Sequence, residues 1–188
     1  TVDEKDLANA YYISATDFSN LGGWTLDSAG YLFGSHGSPD GAPGSVPGGD
    51  PATIEFSIKQ DGTYKVWTLA RDYASNSPGS RYYNAGVDGV MEPEKMGTHG
   101  KDGFFWQEVG VYELTQGKHT ISVFDTSGYY ARCQGFLVTD DIVNAPSENV
   151  EDVIKKYSAN AVKASIPDSQ FPYWATQPMQ EREVISLE

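Results

Sequence analysis

Aromatic and arginine residues are the side chains of this sequence whose types could hold a small polar ligand. Tyr73, Tyr129 and Tyr130 lie beside the ends of predicted strands, as do Arg71 and Arg132. Sugar rings stack their C–H faces on aromatic rings, and guanidinium forks bond hydroxyl or carboxylate oxygens. The predicted ligand-binding set consists of Trp24, Arg71, Tyr73, Tyr82, Tyr129, Tyr130 and Arg132.

The arginines of this set, together with Arg81, also have a structural interpretation. Arg71, Arg81 and Arg132 would form an ion-pair network that ties the loops to the strands, for example through an Arg132–Asp125 pair across a hairpin. Trp67 lies in the middle of an apolar run, which is typical of a core residue. Both interpretations of the arginines stay open at the level of the sequence.

Catalytic signatures are missing from the sequence. It contains no G-x-S-x-G, H-E-x-x-H or G-x-G-x-x-G motif and no P-loop. His36, His99 and His119 are far apart and have no metal-ligand spacing. Cys133 lies in a predicted strand and is interpreted as a small buried side chain rather than a nucleophile. No enzymatic activity is therefore expected of this chain.

The composition indicates a globular, acidic protein. The chain has 188 residues, 39% of them hydrophobic and 13% aromatic, which suffices for a core. The formal net charge is −13, which disfavours nucleic acid as a partner. The same charge argues mildly against polyanionic glycans unless a local basic patch exists. A single cysteine excludes an internal disulfide, and no apolar run reaches the ~20 residues of a membrane span.

Short alternating runs separated by turn residues predict an all-β fold. The predicted strands cover residues 11–18, 53–58, 63–70, 81–87, 106–114, 119–124 and 132–139, with a short strand within 31–33. Asp61-Gly62 and Asp88-Gly89 predict tight hairpins. The expected interior of a two-sheet antiparallel sandwich includes Ile54, Phe56, Ile58, Val66, Ile121 and Val123.

The composition changes after Asp140. Val150, Val153, Ile154 and Tyr157 have helical spacing, which predicts a helix over residues 148–157 outside the sandwich. The expected organisation is a linker or mature N-terminus over residues 1–10, a β-sandwich over 11–141, and a helix with an extended surface tail over 142–188. That tail is expected to lead to a further domain, and the final Leu-Glu pair is either native or a cloning scar.

Several motifs in order resemble carbohydrate-binding module families six and thirty-five. They are the DGTYKVW run from Asp61, the VDG hairpin at residues 87–89, and the LTQGKHTI run from Leu114. The sequence from Ser14 to Phe18 occupies the place of an acidic first strand in those families. The resemblance covers residues 11–141 and implies an antiparallel jelly-roll β-sandwich of the galactose-binding-domain type.

The resemblance also implies a function. It indicates a non-catalytic carbohydrate-binding module of a secreted, periplasmic or cell-surface bacterial protein that degrades polysaccharide, with a glycoside hydrolase or polysaccharide lyase as the parent. The expected partners are an unidentified glycan and a catalytic domain of the same chain. The alternative is a structural sandwich domain that packs on the catalytic domain without binding glycan.

A structural calcium ion is the one cofactor that the resemblance implies. Those families hold it with acidic residues of the first strand, where this chain has Ser14 and Thr16. Calcium requires six to eight oxygen ligands. Asp17 and Asp140 are therefore the weak candidate metal ligands.

Overall fold

Ten strands and one helix make up the computed structural model, which describes residues 9–34 and 49–164, with side chains through Ser158. The strands are β1 (Ala10–Ser14), β2 (Thr25–Leu26), β3 (Leu32–Gly34), β4 (Ala52–Ile58), β5 (Gly62–Asp72), β6 (Asn84–Val87), β7 (Val90–Met91), β8 (Gly103–Leu114), β9 (Gly117–Phe124) and β10 (Ala131–Thr139). A helix, α1 (Val150–Ala164), follows them. All the strand pairings are antiparallel, so the predicted fold class is confirmed.

The strands form two sheets that enclose the core. The six-stranded sheet has the order β2-β3-β10-β5-β8, and β1 also pairs with β10. The four-stranded sheet has the order β4-β9-β6-β7. β10 is the central strand of the larger sheet, because it pairs with β5 on one side and with both β1 and β3 on the other. Residues on β3, β5 and β10 are thus brought together from distant parts of the sequence.

The alternation in the strands places the predicted core residues inside. Ile54, Phe56 and Ile58 of β4 are 6% exposed or less. The other predicted core residues, Val66, Ile121 and Val123, are also buried, which confirms the prediction. Burial of each such side chain contributes about 1.5–3 kcal/mol relative to exposure.

The hairpin between β6 and β7 depends on its turn residues. Asp88 and Gly89 have φ angles of 53° and 81°, as a two-residue hairpin turn with two positive φ values requires. A Cβ atom at Gly86 would lie 1.8 Å from the carbonyl oxygen of Val90. Glycine at position 86 therefore permits the close approach of the two strands.

Helix α1 covers part of the outer face of the six-stranded sheet. Val153 is buried against Ala10, Tyr12 and Leu137, with Ile154, Tyr157, Trp67 and Trp106 packed around them. The indole of Trp106 also donates to the carbonyl of Ser147, 3.2 Å away. A helix outside the sandwich is confirmed, while the predicted tail beyond residue 164 lies outside the described residues.

Two strands are shorter than predicted, and β8 begins at Gly103, three residues before its predicted start. The first strand ends at Ser14 instead of Phe18, because Ser14 and Asp17 form a capping box around a 3-10 turn at Ala15–Asp17. The strand predicted over 81–87 begins at Asn84, although Tyr83 forms an isolated bridge with Met96. No helix in the described part of the chain is long and apolar enough to cross a membrane.

Candidate functional site

Two arginines on neighbouring strands form the base of the candidate site. Cys133 pairs with Ala70 across β10 and β5, and both are fully buried toward the core. Because side chains alternate along a strand, Arg132 and Arg71 lie on the opposite, outer face. Arg132 pairs with Phe33 of β3, which places an aromatic ring beside the guanidinium. These positions lie near one end of the outer face of the six-stranded sheet.

The ring of Tyr73 lies at the centre of three guanidinium groups. Its centroid is 4.4 Å from Cζ of Arg71, 3.8 Å from Cζ of Arg81 and 5.1 Å from Cζ of Arg132. Arg132 also lies 4.7 Å from the ring centroid of Phe33. Cation–π contacts of this kind contribute about 0.5–2 kcal/mol each, more where water is excluded.

A second aromatic pair borders the guanidinium groups. The rings of Phe33 and Tyr130 are stacked, with centroids 5.9 Å apart and planes 12° apart. Tyr129 contacts Tyr130 with a centroid distance of 5.2 Å and also lies under Arg81. We call the group formed by Tyr31, Phe33, Arg71, Tyr73, Arg81, Tyr129, Tyr130 and Arg132 the arginine–tyrosine cluster. All eight side chains are half-buried.

The backbone at Tyr130 has an uncommon conformation. Its φ angle is +51°, in the left-handed region that costs a non-glycine residue about 1 kcal/mol or more. This conformation is reinforced by Arg132, whose guanidinium donates to the carbonyl of Tyr130 at 2.9 Å. Strained backbone conformations of this kind are concentrated at binding sites, which favours a functional role for the loop that contains Tyr130.

Asp72 holds the loops beside the cluster. Its carboxylate accepts hydrogen bonds from the backbone N–H groups of Tyr73 at 2.7 Å, Gly79 at 2.9 Å and Gly100 at 2.8 Å. Burial raises the pKa of Asp72, but these three hydrogen bonds outweigh burial and hold the pKa below its ordinary value. The carboxylate therefore fixes where Tyr73 leaves the end of β5.

The arginine side chains keep unused hydrogen-bonding capacity. Nε of Arg71 and Nε of Arg81 are buried without a hydrogen-bond partner among the described residues. Within those residues no carboxylate lies within 4.0 Å of a nitrogen of Arg71, Arg81 or Arg132. The Arg132–Asp125 pair expected under the structural interpretation is therefore not formed, because Arg132 lies over aromatic rings instead.

The carboxylate of Asp102 interacts electrostatically with the positive charge of Arg71. It accepts hydrogen bonds from the hydroxyl and the N–H of Ser75. Those bonds are the main reason that the pKa of Asp102 is lowered, and the positive charge of Arg71 lowers it further. Asp102 is exposed and is engaged with the loop rather than with the guanidinium.

Five of the predicted ligand-binding residues lie together in the cluster: Arg71, Tyr73, Tyr129, Tyr130 and Arg132. Tyr82 lies apart from it, with Nζ of Lys95 4.4 Å from its ring centroid. The assignment of Trp24 is wrong. Its side chain is 3% exposed, packs edge-on against Tyr83 and donates to the carbonyl of Val123 at 2.9 Å.

Three members of the cluster, Tyr31, Phe33 and Arg81, are not in the predicted ligand-binding set. Phe33 lies in the short strand β3 and Tyr31 directly precedes it, within a long loop-like sequence where alternation over three residues is too brief to assign a face. The sequence predicts Arg81 only as a member of the ion-pair network, because its position over Tyr73 depends on a loop that Asp72 holds. The spacing of these three residues along the sequence does not indicate that they contact the other members of the cluster.

The two candidate metal ligands do not converge. Asp17 accepts a hydrogen bond from the N–H of Ser14, at the C-terminal end of β1. Asp140 accepts one from the N–H of Asn9, just before the other end of β1. The five-residue strand between them spans about 16 Å, so the two carboxylates cannot hold one ion. Among the described residues, no group of three or more His, Cys, Asp or Glu side chains is placed to hold a metal.

Cys133 belongs to a buried polar group inside the sandwich. The hydroxyls of Thr68 and Tyr83 are 2.6 Å apart, and Sγ of Cys133 lies 3.6 Å from the Thr68 hydroxyl. Burial raises the pKa of the Cys133 thiol to about 11. The predicted burial of Cys133 is confirmed, and its thiol is protonated at neutral pH.

A cavity of about 380 Å³ lies away from the cluster, between α1, the segment before it and β10. Leu137, Asp141, Pro146 and Tyr157 are among the residues that line it. None of the residues that line it belongs to the arginine–tyrosine cluster. The cavity follows from the way the helix and the preceding segment lie across the sheet.

Sequence comparisons give little for this chain. A family model for galanin matches residues 23–41, about a tenth of the chain, which is too short to show a family. No curated protein matches the chain.

Solved structures show the fold. A crystal structure of a Podospora anserina GH26-CBM35 β-(1,4)-mannanase is similar with a TM-score of 0.52 and 17% identity, over 74% of this chain. This chain spans only 29% of that chain's length. A family 35 carbohydrate-binding module from Clostridium thermocellum has a TM-score of 0.45 and 14% identity, covering 70% of this chain and 98% of the module. The C-terminal CBM6 module of a marine laminarinase from Zobellia galactanivorans has a TM-score of 0.46 and 11% identity, covering 70% of this chain and 99% of the module.

The likeness to the mannanase chain, supported by the two antiparallel sheets, establishes a β-sandwich fold of the carbohydrate-binding-module type.

Proposed function

We propose that this chain is a non-catalytic carbohydrate-binding module and that the arginine–tyrosine cluster is its site. The observation that carries the proposal is the arrangement around Tyr73. Three guanidinium groups contact its ring, and two of them retain a buried Nε–H without a partner among the described residues. Flat apolar faces beside unused donors are what a hydroxylated ring needs.

The apolar faces and the hydrogen-bond donors of the cluster lie in different places. The stacked Phe33 and Tyr130 rings offer a flat, half-buried face, whereas the arginines offer hydrogen-bond donors next to it. Stacking of a sugar ring removes apolar C–H surface from water, and the donors then fix its orientation. Phe33 lies on β3, Asp72 fixes the start of the loop at Tyr73, and the Arg132 guanidinium bonds the carbonyl of Tyr130, so little ordering of these rings is needed on binding.

The proposal also includes a role for this chain within a larger, polysaccharide-degrading protein. The mannanase to which this chain is similar carries a CBM35 designation together with a glycoside hydrolase designation. By analogy, the chain would hold a polysaccharide near a catalytic domain of a secreted bacterial glycoside hydrolase or polysaccharide lyase. A weak single-site affinity near millimolar, worth about −4 kcal/mol, would be raised by attachment to that domain.

Isothermal titration calorimetry with a panel of plant, algal and host oligosaccharides tests the proposal. Tyr73→Ala should remove binding of whichever oligosaccharide the wild type binds. Tyr82→Ala is the matched control, because it removes the same side chain outside the cluster. Equal loss in both variants, or no binding to any member of the panel, would contradict the proposal. The latter result would favour the purely structural role, with α1 and its sheet face as the contact to another domain.

A further inference from the structure

We propose that the arginine–tyrosine cluster selects glycans that carry an anionic group, either a carboxylate or a sulfate ester. This inference rests on the proposed function and names the chemical class of its ligand. It follows from the charge and the unused donors of three arginines around one ring.

The first step concerns charge. The guanidinium carbons of Arg71, Arg81 and Arg132 all lie within 5.1 Å of the ring centroid of Tyr73. Guanidinium groups stay protonated in proteins, so three positive charges are held around one half-buried ring. No carboxylate within the described ranges forms an ion pair with them. Like charges so close repel one another unless an anion is bound between them.

The second step concerns hydrogen bonds. Nε of Arg71 and Nε of Arg81 are buried and unpartnered among the described residues. A planar guanidinium bonds a carboxylate or a sulfate through two parallel N–H···O contacts. A neutral hydroxyl oxygen would accept single bonds and leave the positive charges unneutralised. An anionic substituent therefore satisfies both features of the site.

The third step concerns the nearby carboxylates, which are engaged elsewhere. Asp72 accepts three backbone N–H bonds, and Asp102 accepts two bonds from Ser75. Asp125 accepts the N–H of Gly128 at 3.2 Å. These hydrogen bonds leave the carboxylates charged, but none of these three carboxylates forms an ion pair with a guanidinium of the cluster. The arginine donors therefore remain available to an anionic ligand on a chain whose net charge is −13, and charges farther away than about 8–10 Å are screened by salt.

The test compares ligands that differ in one group. The probes are a disaccharide of one galacturonic acid and one galactose residue, its methyl ester, the corresponding neutral galactose disaccharide and a galactose disaccharide carrying one 6-sulfate. Wild-type protein should bind the carboxylate or the sulfate probe about tenfold more tightly than the neutral and esterified probes. Whichever of the carboxylate and sulfate probes binds more tightly identifies the anionic group that the site prefers.

Variants locate the effect in the cluster. Arg81→Gln should lose the roughly tenfold preference, and Arg81→Lys, which keeps the charge without the fork, should retain part of it. Lys95→Gln is the control, because it removes one positive charge over Tyr82, outside the cluster. Circular dichroism verifies folding, and the ester comparison on wild-type protein needs no variant.

The other possible results of these binding experiments distinguish failure of the inference from failure of the proposed function. Equal affinity for the anionic, esterified and neutral probes would overturn this inference and leave the proposed function standing. Loss of the preference in Lys95→Gln as well as in Arg81→Gln would also overturn it. If none of the probes binds while a neutral glycan of the wider panel does, anionic selectivity is wrong. If nothing in either set binds, the proposed function fails with it.

Discussion

Tyr130 combines a left-handed backbone with a ring that stacks on Phe33. The carbonyl of Tyr130 accepts a hydrogen bond from Arg132, so the backbone conformation and the guanidinium position support each other. The sequence predicts Tyr130 and Arg132 as ligand contacts, since they lie at the start of a predicted strand. It does not predict the positive φ angle, which depends on the turn that joins β9 to β10.

Removal of the Tyr130 ring should weaken glycan binding without unfolding the protein. Tyr130→Ala is expected to cost about 1–3 kcal/mol of binding free energy, because one stacking face is lost. Tyr130→Phe keeps the face and should bind nearly as wild type does. Calorimetry measures the affinities and thermal melts measure the stability. An unchanged affinity in Tyr130→Ala would remove this residue from the site.

Asp72 should make stability depend on pH. Its pKa is lowered in the folded state, so its stabilising contribution is present above the ordinary pKa of about 3.9 and is lost as the pH falls through the folded value. Asp72→Asn should reduce the free energy of unfolding by about 1–3 kcal/mol at pH 7, because an amide oxygen replaces a charged acceptor of three N–H groups. Urea denaturation at pH 7 and pH 3 should show the difference from wild type shrinking at pH 3. A difference that stays constant would contradict this role.

At the scale of elements, β5 shows how far sequence reasoning reaches. Apolar residues on both of its faces predict a central strand, and β5 does lie between β10 and β8. Val66 faces the sandwich as predicted, whereas Trp67 packs beneath α1 on the other face. A helix some 80 residues later in sequence covers that tryptophan, so local periodicity carries no information about its partner.

The contact between α1 and the sheet should be separable from the candidate site. Val153→Asp places a charge on a side chain that is 6% exposed among Ala10, Tyr12 and Leu137, and it should destabilise the protein by about 2–4 kcal/mol. Fluorescence of Trp67 and Trp106 should shift to the red as the helix detaches. Lys155→Gln makes the same change in net charge at an exposed position and should have little effect. Loss of glycan binding in a still-folded Val153→Asp protein would show that the helix contributes to the site.

The molecule as a whole brings together residues that the sequence separates. Arg71 and Arg132 are 61 positions apart, and they become neighbours because β10 pairs with β5. The motif order in the sequence predicts the sandwich, and the positions of the strand ends predict five of the eight residues of the arginine–tyrosine cluster. The burial of Trp24 could not be predicted, because its partners Tyr83 and Val123 lie 59 and 99 residues away in the sequence.

Calcium should have little influence on the stability of the described domain. Asp17 and Asp140 lie at opposite ends of β1, and each accepts a backbone N–H bond. Adding calcium to protein treated with a chelator is therefore expected to change the melting temperature by less than about 2 °C, since a bound ion would stabilise by mass action. Differential scanning calorimetry measures this change. A rise of many degrees would show that other oxygens, including backbone carbonyls, form a site.

The central claim is that glycan binds at the arginine–tyrosine cluster, and NMR of the arginine side chains tests it most directly. The Nε–Hε resonances of Arg71 and Arg81 should shift and gain protection from solvent exchange when a bound oligosaccharide supplies their missing acceptor. The indole resonances of Trp24 and Trp106, which already have backbone acceptors, should stay in place. Shifts confined to Trp106 and the residues around the α1 cavity, with the arginine signals unchanged, would contradict the account.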